Sequence, residues 1–459
     1  MLERVFSFAS RAVLRYASLR DAARAGLEFV RKYPVDEVSR KARFGAEAVY
    51  PFDELDEYGK ALLGAEVYEP GYPRFHTLDR LLLVPPAFTP RRLEKMSELL
   101  REPLYIDVDT EAVVGGFKLR LPLTIGSMGS TDVANRVGLE LSRGAARAGI
   151  ALGIGENVAT MRGYDRRRDP SQPCFKERLL AYLENVEDGY GGVVIQQSIE
   201  DAFDELWNHV YSDVDVEPYI EEGLVGFEIK VGQGAKPGLG GEVKVPRELA
   251  LRLKDKYYLP EDPEEVVKDM YERHSAPGTF TERILASMVR LLKNNYPKAR
   301  VWVKTGPYRD LDEVIRVSAE AGADAVIVDG KEGGTGMSPI VALKDLGLPT
   351  VACLKRIKEA KERGVGASLI LSGRLYNGGH IVKALALGAD AVSMGRPFIV
   401  AVQAAGEEGV VNLVEALKVE VQMLASALDH YSLSELCPGD VWALERDLAE
   451  AFGIRYVYG

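Results

Sequence analysis

Gly373-Arg374 and Gly395-Arg396 each close a short apolar run, pairing a backbone that lets a ligand approach closely with a fixed positive charge. Such pairs suit a phosphate, which takes backbone N–H donors at a helix N-terminus and a guanidinium beside them. Gly378 adds a third glycine to the first of these loops. A further glycine-rich element, "GKEGGTGMSP", contains Gly333 and Gly334. Hydrogen-only side chains there imply a close neighbour, either a large flat ligand or the adjoining phosphate loop. Other apolar runs end in groups able to bind or polarise a ligand. These are Ser127-Met128, Glu156, Gln196, Lys230 followed by Gln233 and Lys236, and Lys304.

Those residues need a scaffold that brings chain positions far apart in sequence to one place. Eight short apolar runs supply the candidates: "LPLTIGSMG" from Leu121, "IALGIGEN" from Ile150, "GVVIQQS" from Gly192, "LVGFEIKVGQG" from Leu224, "RVWVKTG" from Arg300, "DAVIVDG" from Asp324, "ASLILSG" from Ala367 and "DAVSMGR" from Asp390. Near-continuous Val/Ile/Leu runs are what a parallel sheet buried on both faces requires. Helical patterns lie between them, among them "DEVIRVSAEAGA" and "HIVKALALGA". Eight strand–helix units predict a (β/α)8 TIM barrel, an α/β fold. A doubly wound sheet would use fewer strands and a glycine-rich turn after the first. In a barrel the residues just after each strand share one mouth, and strands seven and eight build the phosphate site. All eight runs end in polar residues or glycine, as that placement demands.

The remaining features bound the answer. The chain has 459 residues, 46% hydrophobic and 28% charged, ordinary values for a globular protein. A net charge of −11 argues against a nucleic-acid partner. Cys174, Cys353 and Cys437 lie far apart without a CxxC pair, so neither a disulfide framework nor a cysteine-built metal or iron–sulfur centre is expected. A reducing, cytoplasmic compartment fits, and no apolar run reaches the roughly 18 residues of a membrane span. Abundant Glu, Arg and Lys lean towards a thermophile. Residues 1–100 read as a mainly helical or mixed N-terminal extension, 101–435 as the barrel and 436–459 as a tail packing on it. The first stretch, to Pro34, carries Arg4, Arg11, Arg15, Arg20, Arg24 and Arg31 at helical spacing. It is read as a helix packing on the main domain or on another subunit, which leaves room for a homo-oligomer. Glu3, Asp21 and Glu28 argue against a transit peptide.

Four motifs carry a family resemblance. "FEIKVGQGAKPGLGG" (Phe227 to Gly241), "RHSAPG" (Arg273 to Gly278), "DGKEGGTGMSP" (Asp329 to Pro339) and "SGRLYNGGHIVKALALGAD" (Ser372 to Asp390) resemble the FMN-binding synthase domain of the glutamate synthase large subunit, in that family's order, over residues 100–435. The resemblance implies an FMN-bearing (β/α)8 barrel. It implies an oxidoreductase that reduces the imine of 2-oxoglutarate and ammonia to L-glutamate. By position, it implies that Ser127 and Met128 lie under the flavin ring, with Gln196, Gly333 and Gly334 also at the cofactor. Lys304 would stand beside the flavin pyrimidine, and Gly373, Arg374, Gly395 and Arg396 around the phosphate. Glu156, Lys230, Gln233 and Lys236 would serve the substrate.

The chain also departs from the family pattern. It starts at Met1-Leu2-Glu3 with no counterpart of the glutaminase domain, and the segment after the eighth run, "GRPFIVAVQAAGEEGVVNL", lacks the iron–sulfur cysteines. The expected partners are therefore a 2-oxo acid substrate, a separate glutaminase and a separate electron donor. Asn157-Val158 and Gly129 replace residues the family keeps. Two alternatives stay open: another FMN barrel enzyme, resembling type 2 isopentenyl-diphosphate isomerase or acting on an unknown substrate, and a non-catalytic flavin-bearing subunit.

Overall fold

A computed structural model describes residues 34–49, 77–234, 238–334 and 338–459. The eight expected strands all form: β1 (Leu123–Met128), β2 (Ala151–Ile154), β3 (Gly192–Gln197), β4 (Val225–Lys230), β5 (Arg300–Thr305), β6 (Ala325–Asp329), β7 (Ser368–Ser372) and β8 (Ala391–Met394). Each pairs in parallel with its sequence neighbour, and β8 pairs with β1 to close the barrel. Closure leaves no open edge and lets every backbone group of the ring be satisfied. Helices on the outside cover the outward residues, as the two quoted helical patterns anticipated: Leu311–Glu320 follows β5 and Gly378–Ala386 follows β7.

Side chains on a strand alternate between faces, so every second residue shares the barrel interior. At the lower end that interior is apolar. Ala151, Val194, Trp302, Ala325, Ile327, Ile370 and Ala391 cluster there with Val114, Phe117 and Leu119. The last three belong to a hairpin of two short strands, Ala112–Val114 and Phe117–Leu119, which plugs the barrel floor. The Trp302 indole lies 5.4 Å from the Phe117 ring and donates to the Gly115 carbonyl at 2.9 Å. Gly115 has φ +55, and a Cβ there would stand 2.4 Å from the indole nitrogen, so the turn is glycine for two reasons.

Other segments wrap this barrel. The helix Val35–Phe44 lies on the long helix Arg396–Ala427, with Lys41 buried between Glu37 (2.8 Å) and Glu420 (2.6 Å). The long helix breaks at Ala405 and Gly406, where Gly406 takes φ +63. Leu81–Leu83 pairs with Val441–Ala443, which pairs with Arg455–Tyr456, so the C-terminal residues form a small sheet with the segment before the barrel. Between β4 and β5 an insertion forms a second hairpin, Glu242–Pro246 with Met270–His274, joined by the helix Arg247–Leu253. Its apolar residues Val245, Ala250, Leu253, Tyr257 and Tyr271 pack on Met161, in the helix after β2. The insertion therefore stands at the barrel mouth. Among the described residues no helix is long and apolar enough to cross a membrane. The arginine-rich stretch up to Lys32 lies outside the described residues.

Candidate active site at the barrel mouth

Two residues above the apolar floor, the same inward faces turn polar. Val194 is followed by Gln196, Trp302 by Lys304, Ile327 by Asp329, Ile370 by Ser372, Ala391 by Ser393, and on β4 Gly226 by Glu228 and Lys230. Gln196, Glu228, Lys304, Asp329 and Ser393 are all buried. The residues expected from the strand ends thus come together, with others that the sequence did not single out.

Glu228 is the chief addition. It is fully buried in the middle of β4. Its Oε1 accepts from Ser127 Oγ at 2.7 Å and from Gln196 Nε2 at 2.5 Å, while Oε2 has no partner among the described residues. Burial raises its proton affinity, and Lys304, then Ser127, Gln196 and Lys230, work against that. Lys304 lies 4.0 Å from the Asp329 carboxylate. Asp329 in turn accepts from Ser372 Oγ and from the Gly234 N–H, each at 2.9 Å, and so ties strands β5, β6 and β7 to the loop after β4. Tyr308 clips the same loop: its hydroxyl donates to the Val231 carbonyl at 3.0 Å and accepts from the Gly238 N–H at 3.2 Å. Gln233 in this loop is buried, and Lys236 lies outside the described residues.

On the side of β2–β4, Lys230 forms an ion pair with Glu156. The Glu156 N–H points to Gln196 Oε1 at 3.4 Å. The next residue, Asn157, takes φ +65, a left-handed conformation that asparagine tolerates. Three partners hold it there. Its N–H reaches Asp201 at 2.6 Å, and its side-chain oxygen accepts from Tyr257 (2.5 Å) and Ser198 (3.0 Å). Tyr257 comes from the insertion, whose Arg273 is also buried. The guanidinium lies 4.3 Å from the Tyr257 ring centre and donates to Ser275 Oγ at 2.5 Å. Burial lowers the Arg273 pKa, and Tyr257, Glu200, Glu156 and Asp201 oppose that. "RHSAPG" was visible as a motif, but nothing local assigned its arginine to the mouth.

The glycine loops separate by function. A Cβ on Gly395 would meet no atom within 4 Å, so the space before the helix beginning at Arg396 is open. Gly373 differs. With φ +144, its Cβ would lie 2.1 Å from Thr350 Oγ1. Thr350 donates to Glu332 (2.5 Å) and lies 3.3 Å from the Gly373 carbonyl, so this glycine is required by packing. Arg374 takes φ +63 directly after it, a strained conformation for arginine. Gly378 is committed elsewhere, its N–H donating to Glu420 at 2.8 Å. Gly333 presses on Asp329 (a Cβ would be 2.0 Å from Oδ1), and Gly334 lies beside it, buried. The close neighbour of the "KEGG" turn is thus the chain's own β6 carboxylate. Met128 ends β1 with its carbonyl accepting from the Gly155 N–H at 2.9 Å.

The donor set fits a phosphorylated flavin: an open glycine cradle at a helix N-terminus, a buried lysine, and a buried carboxylate oxygen with no donor among the described residues. The model for the conserved region in glutamate synthase matches residues 102–406. The chain belongs to the glutamate synthase family. A glutamate synthase large subunit-like protein of Rhizobium meliloti is 26% identical over 306 residues, 64% of this chain and 59% of the relative. An archaeal glutamate synthase [NADPH] of Methanocaldococcus jannaschii is 34% identical over 193 residues, 40% of this chain and 36% of the relative. The chain therefore spans less than two thirds of the length of these relatives. In fold, a flavocytochrome b2 variant with pyruvate bound superposes with a TM-score of 0.54 at 17% identity, over 94% of this chain and 92% of the other. A mandelate oxidase gives 0.51 at 19% identity, over 87% and 95%.

Proposed function

We propose that this glutamate synthase-family barrel binds FMN at its mouth and converts a 2-oxo dicarboxylate, 2-oxoglutarate, and ammonia into L-glutamate and water, consuming two electrons and two protons. The observation that supports this reading is the arrangement of cations around the mouth. Lys230 and Arg273 stand near Glu156, and Lys304 is buried on the adjacent strand β5, level with Lys230. A dicarboxylate needs two cationic anchors, and a negatively charged reduced cofactor needs a third. When bound, FMN would supply the hydride that reduces the imine carbon.

The chain's own residues have distinct tasks in this reading. Gly395, Arg396 and Arg374 hold the phosphate, and Ser127, Met128, Gln196 and Lys304 hold the ring. Gln233 and Lys236 complete the substrate side from the loop after β4. Lys230 exchanges Glu156 for a substrate carboxylate, which frees the Glu156 carboxylate to face the ammonia-derived nitrogen. The electron donor and the ammonia source are other proteins. In favour of a separate donor, Cys174 precedes the helix Phe175–Leu183, Cys353 lies inside Thr350–Glu362, and Cys437 sits on the exposed surface.

The test uses protein reconstituted with FMN, reduced by dithionite, and mixed with 2-oxoglutarate and ammonium. L-Glutamate should form once per flavin, and Lys230→Met should abolish the 2-oxoglutarate-induced change in flavin absorbance. A wild-type protein that binds FMN but forms no glutamate would overturn the substrate and leave the cofactor.

A further inference from the structure

The carboxyl of Glu228 is a buried group at the mouth whose bonding pattern is half complete among the described residues. Both of its neighbouring donors, Ser127 Oγ and Gln196 Nε2, converge on Oε1. Oε2 is equally buried and has no donor among the described residues. A buried carboxylate oxygen in that state is costly, since desolvation is repaid only when each lone pair finds a partner. With Lys304 opposing its protonation, the ionised carboxylate calls for a ligand atom that is a donor. That excludes a phosphate or a substrate carboxylate, which bring acceptors only. Lys304 supplies the strongest opposing charge on Glu228. An acceptor with a cation beside it complements an edge on which an N–H lies next to a carbonyl oxygen. The pyrimidine ring of an isoalloxazine has such an edge: N3–H between two carbonyls.

We propose that Glu228 is a cofactor-binding residue, its Oε2 accepting the N3–H of the flavin. This rests on the FMN reading above and goes beyond it, because it assigns the base of the ring's polar edge to β4. The role explains why a carboxylate interrupts the apolar run "LVGFEIK". It also explains why Ser127 and Gln196, from two other strands, both turn towards it. They fix one oxygen so that the other faces the ring.

The test compares FMN with 3-methyl-FMN, which lacks the N3 proton, using flavin fluorescence quenching on the apoprotein. Wild type should bind FMN more tightly by about tenfold or more, the worth of one hydrogen bond to a charged acceptor. Equal affinities would overturn the proposal without needing any variant. Glu228→Ala should bind the two flavins alike, which separates lost hydrogen bonding from simple crowding by the methyl group. Persistent discrimination in that variant would place the acceptor on another residue and overturn the assignment. Glu228→Gln should weaken FMN itself, since an amide cannot accept from Ser127, Gln196 and the flavin at once. If wild type took up neither flavin, the cofactor reading would fall and this proposal with it.

Discussion

The floor and the mouth of this barrel are built on the same strands, two residues apart. The floor is Trp302, Ile327, Ile370, Val194 and Ala391, sealed by the 112–119 hairpin. The mouth is Lys304, Asp329, Ser372, Gln196 and Ser393. A step of about 6.6 Å along each strand separates them. The lower layer gains by excluding water and filling space. The upper layer holds four ionisable groups, Glu228, Lys230, Lys304 and Asp329, in one another's fields. Such groups are expensive to bury, and they persist where a ligand completes their bonding. The comparison therefore predicts a clean division: floor changes should cost stability and mouth changes should cost binding or potential.

The largest effect should come from the floor. Trp302→Ala removes an indole packed on Phe117 and bonded to Gly115, and should cost about 3–5 kcal/mol in chemical denaturation. The fraction still folded should bind FMN as wild type does. Lost flavin affinity in folded Trp302→Ala would show that the two layers are not separable.

The two phosphate-loop glycines break the comparison in opposite ways. Gly395 faces open space, so Gly395→Val should leave the apoprotein's melting temperature unchanged while abolishing FMN uptake. Gly373 is pressed against Thr350 at φ +144, so Gly373→Ala should destabilise the apoprotein by about 1–3 kcal/mol before any flavin is added. The reverse pattern, with Gly373→Ala harmless and Gly395→Val unfolded, would move the phosphate to the β7 loop alone.

Lys304 tests the mouth's electrostatics. With Met in its place, the anionic reduced flavin loses a cation, and the reduction potential should fall by about 30 mV or more, each such step being roughly 1.4 kcal/mol for a two-electron couple. Lys230→Met should leave the potential nearly unchanged, because the ion pair with Glu156 already neutralises the Lys230 charge. Spectroelectrochemistry on both variants decides between them. An equal drop in the two would mean that the mouth acts as one field, without a flavin side and a substrate side.

Which residues the sequence exposes follows the same division. The eight strands were legible because doubly buried parallel strands are near-continuous apolar runs. Their ends were legible because a polar residue stops each run. Glu228 stayed hidden because it sits inside a run and carries no local sign of facing inward. Register with β3 places it beside Gln196, and Ser127 meets it from β1, which is distant in sequence and not paired with β4. The floor hairpin was equally silent, since three apolar residues around a Gly-Gly turn look like any surface loop. The insertion gave its "RHSAPG" motif but not its destination. Tyr257 and Arg273 reach the mouth only because Val245 and Tyr271 pack on Met161. The "KEGG" glycines were read as facing a ligand or a neighbouring loop; Gly333 faces the Asp329 carboxylate, with Gly234 of the loop after β4 also against it.

The smallest effect should come from Tyr308, which belongs to neither layer but ties the substrate loop to the mouth. One hydroxyl holds both ends of that loop, through the Val231 carbonyl and the Gly238 N–H. Tyr308→Phe keeps the ring and removes only these two bonds, at about 0.5–1.5 kcal/mol each when neutral. The loop has other anchors: the Gly234 N–H to Asp329 at 2.9 Å, and the Val231 N–H to the Lys304 carbonyl at 2.8 Å. The variant should therefore fold and bind FMN normally. Amide exchange in a peptide spanning the Gly238 end should quicken, while the Gly234 end stays protected by Asp329. Exchange that rose equally at both ends would mean that Asp329 and Tyr308 act as one clamp. Exchange that did not change at either end would leave Asp329 and the Lys304 carbonyl as the anchors of the loop after β4 and make the Tyr308 hydroxyl dispensable.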